Sequence, residues 1–146
     1  MKLPVVLVGL LLSIAIMHSA AAITRIQDDM GGPLGKYLLM FATIRDSGER
    51  VIIDGNCFSA CTLVTAIIPK QRICITERAA LGFHASWVDD QTGRPTISAD
   101  GTRLLYQMYP TTIRAWITKN GGLGARTIIL KGRELAAFYP FCNKAK

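Results

Sequence analysis

The chain is predicted to be an α/β domain in which helices pack on a small parallel sheet. Three observations predict it. Val51, Ile52 and Ile53 are a β-branched run followed by the turn residues Asp54, Gly55 and Asn56. From Ser59 the stretch SACTLVTAII is apolar and of helix length, with Pro69 just beyond its end. Two further apolar segments, Arg72 to Ile75 and Ala80 to Phe83, read as strands. A helix between the Val51 strand and these two implies a right-handed crossover and parallel pairing. At 146 residues the chain has room for one domain.

Taken in order, residues 1–22 read as a secretory signal peptide. Lys2 supplies the positive start, Leu3 to Met17 is apolar apart from Ser13, and Ser19-Ala20-Ala21-Ala22 offers the small residues of a cleavage site. The apolar stretch is shorter than the roughly 20 residues of a membrane span, and no later segment is apolar enough to cross a bilayer. Cleavage after Ala22 leaves residues 23–146 as a single exported domain, periplasmic or secreted. Ile23 to Met30 is too brief to assign. Pro33 suits the first position of a helix, and Leu34, Tyr37, Leu38, Phe41 and Ile44 then recur at helical spacing up to Gly48. Asp89 to Asp100 is polar, with Gly and Pro, and reads as a loop. Thr102 to Met108 fits a helix. Pro110 ends it and starts another, TTIRAWITKN, which stops at Gly121-Gly122 with Ile113, Trp116 and Ile117 as its core face. Thr127 to Leu130 is a short β-rich piece, and Gly132 to Phe138 fits a final helical turn or two.

Export makes disulfides of the four cysteines, Cys57, Cys61, Cys74 and Cys142, which allow three pairings. No metal site is expected, because Cys57 and Cys61 lack a paired Cys-x-x-Cys and the one histidine beyond the signal peptide is distant in sequence. The net charge of +7 gathers toward the C-terminus at Arg114, Lys119, Arg126, Lys131, Arg133, Lys144 and Lys146. It is not interleaved with aromatics as a nucleic-acid groove would be, so no nucleic-acid partner is expected.

The candidate chemistry lies at the strand, turn, serine, helix junction. That arrangement aims a serine hydroxyl and the first helical N–H groups at one point, where a developing oxyanion is favoured. His84, in LGFHASW, is the one histidine beyond the signal peptide. A serine hydroxyl is a weak nucleophile until a base takes its proton, and a histidine does this near neutral pH. Ser59 is equally suited to capping a helix.

Several motifs follow in a set order: the glycine pair in DDMGGPLGKYL, the serine in GNCFSACTL, the strand RICIT and the histidine in LGFHA. Over roughly Met30 to Ala85 this resembles the proteolytic subunit of Clp protease and the wider Clp/crotonase superfamily. It is similar above all to small exported bacterial members with a Cys-x-Ser-x-Cys signature. The resemblance implies a truncated Clp/crotonase-like fold, Ser59 as nucleophile and His84 as general base. It also implies the backbone N–H groups of Gly32 and Ala60 as oxyanion donors, with no cofactor. The family's histidine-orienting aspartate has no counterpart, since the matching region holds Arg126, Thr127 and Ile128. Thr127 is therefore the candidate third member, with Asp54, Asp100 and Glu134 as carboxylates of no favoured spacing. The strands ahead of the glycine pair and the ring-building segment are shortened, so no oligomeric state is carried over.

Three functions are thus expected to compete. The first is a serine hydrolase or peptidase of the bacterial envelope. The second is a degenerate relative that binds a peptide or protein without cleaving it. The third is thiol chemistry by Cys57 and Cys61 at a helix start.

Overall fold

The structure is a computed structural model and describes residues 22–143. The predicted signal peptide, apart from Ala22, lies outside them, as do Lys144 and Lys146.

The architecture is mixed α/β, built on two three-stranded sheets. The first is wholly parallel. Its strands are β1 (Ile23–Ile26), β2 (Arg50–Ile53) and β4 (Ile73–Ile75), in the order β1-β2-β4. Val51 pairs with Ile73 and Ile53 with Ile75, the parallel arrangement the crossover predicts. The second sheet holds β3 (Asn56–Phe58), β5 (Ala80–Phe83) and β8 (Ile128–Lys131). Here β3 and β5 run parallel, and β8 is antiparallel to β5.

Asp54 ties the two sheets together where the chain passes between them. It occupies the β2–β3 corner, and its carboxylate accepts hydrogen bonds from Thr76 Oγ1 (2.8 Å) and Arg78 Nε (3.1 Å) at the β4–β5 corner. Arg25 of β1 adds a third at 2.8 Å. Arg78 also reaches the Asp54 carbonyl at 2.8 Å. The hydrogen bond from Arg78, then those from Thr76 and Arg25, hold the Asp54 carboxyl well below the usual carboxylate range. Asp54 is committed to this corner and is not a partner of His84.

Helix α1 (Leu34–Ser47) buries Tyr37, Phe41 and Ile44, the face expected from their spacing. It ends at Gly48, whose φ of +79° is the left-handed cap that glycine permits. The core around Phe41 gathers Val51, Ile53, Leu63, Ile73, Ile75, Leu81, Phe83 and Leu130. Helices α3 (Ala99–Met108) and α4 (Thr111–Lys119) add Leu105, Ile113, Trp116 and Ile117 to it. A short α5 (Gly132–Ala136) adds Leu135.

Three stretches differ from the sequence expectation. Ile23 to Ile26 is a strand, made stable by pairing along its whole length with β2; four residues carry too little pattern to announce it. The apolar run after Phe58 is not one α-helix. It opens as a 3-10 turn, Ser59–Leu63, and becomes α only over α2 (Val64–Ile67). A disulfide pins Cys57 to Cys61 across the start, and Ala60 to Val64 are buried on every side, so no amphipathic face forms. The expected loop at 89–100 contains half of a hairpin, β6 (Trp87–Asp89) with β7 (Pro95–Ile97). Its turn is built on Asp90, whose Oδ1 accepts from the N–H of Thr92 (2.7 Å) and of Arg94 (3.0 Å).

Candidate active site

Strands β3 and β5 are parallel neighbours, with Phe58 opposite Gly82. Ser59 and His84 therefore leave adjacent strands at the same, C-terminal end of the sheet, the edge where α/β sheets place their sites. Both are half-buried, and both line one cavity of ≈ 260 Å³ together with Gly32 and Ala60. Leu34, Leu105 and Trp87 complete its apolar wall.

Ser59 has a φ of +55°, a conformation rare for a residue with a side chain. The preceding Phe58 is extended, so the serine sits at the apex of a sharp strand-to-helix turn. The N-cap position is held by Phe58, and among the described residues Ser59 Oγ makes no hydrogen bond, to the helix or to His84. The Ser59 hydroxyl is thus not spent on the helix, which removes the N-cap explanation for this serine. Costs of about 1–3 kcal/mol for such a backbone are tolerated only where neighbours over-determine it, and here they do. The Ser59 carbonyl accepts from Thr62 Oγ1 at 2.6 Å, and Thr62 is joined to the buried Tyr109 hydroxyl at 2.6 Å. The Cys57–Cys61 disulfide, with both residues fully buried, closes the turn from the other side.

The glycine pair lies against this turn. Gly31 has a φ of +87°, and a Cβ placed on it would stand 2.5 Å from Ser59 Cβ and 2.9 Å from the Ala60 nitrogen. Only glycine allows that approach. The segment is held by Asp29, whose backbone bridges Cys57 and whose Oδ1 accepts from Gly31 N–H (2.8 Å) and the Tyr37 hydroxyl (2.5 Å). Burial, then the bond to Asp29 and its charge, push the Tyr37 phenol up to about 12. With Gly31 N–H given to Asp29, the next amide in the chain is that of Gly32. Neither Gly32 nor Ala60 donates its N–H to the turn and loop hydrogen bonds of the described residues. Both residues line the cavity that Ser59 and His84 share.

The histidine is oriented by an unexpected group. His84 Nδ1 lies 2.7 Å from the Ala85 carbonyl oxygen. A carbonyl only accepts, so Nδ1 carries a proton, and in the neutral ring Nε2 is the nitrogen with the free lone pair. Continuing the β5–β8 register by one residue sets Thr127 opposite His84. Thr127 nonetheless lines a different cavity, with Trp116 and Glu134, and makes no hydrogen bond to the ring. Asp100 pairs with Arg103 on α3 instead. Among the described residues no carboxylate meets the imidazole.

The sequence reading missed the two clamps, Asp29–Tyr37 and Thr62–Tyr109. A Thr three residues after the serine was a visible sign of the second, because such a hydroxyl commonly bonds back to the backbone. The Ala85 carbonyl left no sign, since every residue carries one.

Cys57–Cys61 and Cys74–Cys142 are the disulfides, and no cysteine is free. This overturns the thiol-chemistry expectation. Two disulfides fit an exported protein in an oxidising compartment. Among the described residues no helix is long and apolar enough to cross a membrane. No protein-family model matches the chain, and no curated protein matches it significantly.

Proposed function

We propose that this protein is a serine hydrolase of the bacterial envelope, built on a Clp/crotonase-like scaffold and acting on a peptide or ester. One observation carries the reading: a serine on a positive-φ turn, its hydroxyl not spent on the helix, lines one cavity with a histidine and with Gly32 and Ala60, whose N–H groups are outside the loop hydrogen bonds. In this scheme His84 Nε2 takes the Ser59 proton as Oγ adds to the substrate carbonyl. The N–H groups of Gly32 and Ala60 hold the tetrahedral oxyanion, each worth roughly a hundred- to thousandfold in rate. His84 then gives its proton to the leaving group, and water repeats the sequence to free the acyl group. The Ala85 carbonyl keeps the tautomer correct but carries no charge to stabilise imidazolium, so turnover is slower than with a carboxylate partner. That neutral partner also favours the second reading, a cleft that binds a peptide without cleaving it.

Labelling with a fluorophosphonate decides between the two. A covalent adduct on Ser59, lost in Ser59→Ala and reduced at least about a hundredfold in His84→Ala, is expected of the hydrolase. A folded wild-type protein that takes up no label leaves only the binding cleft.

A further inference from the structure

The first sheet is wholly parallel, and such sheets are ordinarily covered on both faces. Here one face is covered. Val51, Ile53, Ile73 and Ile75 join the core around Phe41, and the residues that alternate with them point the other way. That second face carries Ile23, Arg50, Ile52 and Cys74, which line a groove of ≈ 280 Å³ together with the 140–143 tail. No helix contributes to its wall. Ile23 is 60% exposed and Phe141 51%, two large apolar side chains in the open. The Cys74–Cys142 disulfide fixes the tail, and with it Phe141, beside the sheet.

The charge along this apolar strip has one sign. Arg50 lies opposite Ile23 in the strand register, is exposed, and joins no ion pair among the described residues. Arg25 shares the face of Ile23, though Asp54 offsets its charge. No acidic side chain of the described residues lines the groove, and the sequence runs on from Asn143 as Lys-Ala-Lys. A second copy of the chain would set cation against cation here. Its few apolar residues also fall short of the roughly 800 Å² per partner that a stable protein interface buries. A bilayer rich in anionic lipid asks less, because a few apolar anchors suffice and its surface attracts cations. We infer that this open sheet face docks on an anionic lipid surface, with Ile23 and Phe141 entering the headgroup region and Arg50 against the phosphates. The inference is independent of the hydrolase reading.

The exported chain, freed of residues 1–22, is sedimented with vesicles of phosphatidylcholine alone or mixed with phosphatidylglycerol. It should bind the mixed vesicles at least about tenfold more tightly, and salt should weaken that binding. Arg50→Glu, at an exposed position, should weaken it at least about tenfold. Phe141→Ser should weaken it at least about threefold. Lys119→Glu makes the same charge change at an exposed position off the groove, and should weaken binding by less than about threefold. Absence of binding, equal binding to both vesicles, or equal loss in Lys119→Glu and Arg50→Glu overturns the inference. So does a dimer, seen by analytical ultracentrifugation, that Phe141→Ser dissociates, since the face would then belong to a second copy.

Discussion

Gly31→Ala tests whether the glycine pair is fitted to the serine turn. The added methyl would stand 2.5 Å from Ser59 Cβ and 2.7 Å from the Phe58 carbonyl oxygen, at a φ of +87°. Holding a residue with a side chain in the left-handed region costs about 1–2 kcal/mol. Forcing an extra carbon into a packed site costs about 1–3 kcal/mol more. The sum is a loss of about 2–5 kcal/mol, or about 8–20 °C in Tm for a domain of this size. Either the chain around Asp29 or the Ser59 turn must move to make room. Displacements of about 1 Å commonly cost a hundredfold in reactivity, so fluorophosphonate labelling should slow by at least about tenfold. Gly35→Ala is the control of opposite sign. It lies in α1 with nothing within 4 Å of an added Cβ, and should stabilise by about 1 kcal/mol. Thermal unfolding followed by circular dichroism reads both variants. If Gly31→Ala melts and labels like the wild type, the close packing of the two segments is refuted.

The remaining predictions concern the disulfides and pH. Replacing Cys57 and Cys61 by Ser opens a loop of sequence separation 4 and should cost about 2 kcal/mol, against about 4 kcal/mol for Cys74 and Cys142 at separation 68. The milder loss should nevertheless slow Ser59 labelling more, and urea titrations run beside labelling kinetics read both effects. Burial holds the phenols of Tyr37, Tyr109 and Tyr139 at about 12 against the ordinary 10.0, so the fold favours their neutral form. That stability is fully present below pH 10 and is lost as pH rises toward 12; urea midpoints should fall from about pH 9 to about pH 11, and a flat profile contradicts it. At the acid end the sign reverses. Asp54 is held below its ordinary 3.8, so its contribution is present above that pH and lost as the pH drops beneath it, and Asp54→Asn should flatten this limb.

The parts of this fold legible in the sequence are those where composition alone decides. Ile73 to Ile75 and Ala80 to Phe83 are uninterrupted apolar runs because they are buried at every residue, and Val51 to Ile53, with only Ile52 half-buried, is nearly as plain. The α1 face follows from the spacing of Tyr37, Phe41 and Ile44. What the sequence hides is set by partners far along the chain. β1 exists because β2 lies beside it. The 87–97 hairpin has exposed strands of three residues, one containing Pro95, so no alternation marks it. At the site, the order of the motifs led to the expectation that Ser59, His84, Gly32 and Ala60 meet, and they line one cavity. The positive φ of Ser59 was not legible, since a serine does not advertise the backbone its neighbours impose. Nor was the Ala85 carbonyl, which takes the His84 Nδ1 bond for which Thr127 was the candidate.

The C-terminal tail has a consequence for whether a further strand can join the first sheet. Ile75 donates its N–H to the Pro140 carbonyl at 3.0 Å, Cys142 donates back to the Ile75 carbonyl at 2.9 Å, and the Cys74–Cys142 bond locks the arrangement. One margin of the first sheet is thereby sealed covalently against strand exchange. β1 forms the opposite margin, where Arg25 extends to the Asp54 corner. A foreign strand joining this sheet must therefore dock alongside β1, and reduction of the tail bond would open a second berth at β4.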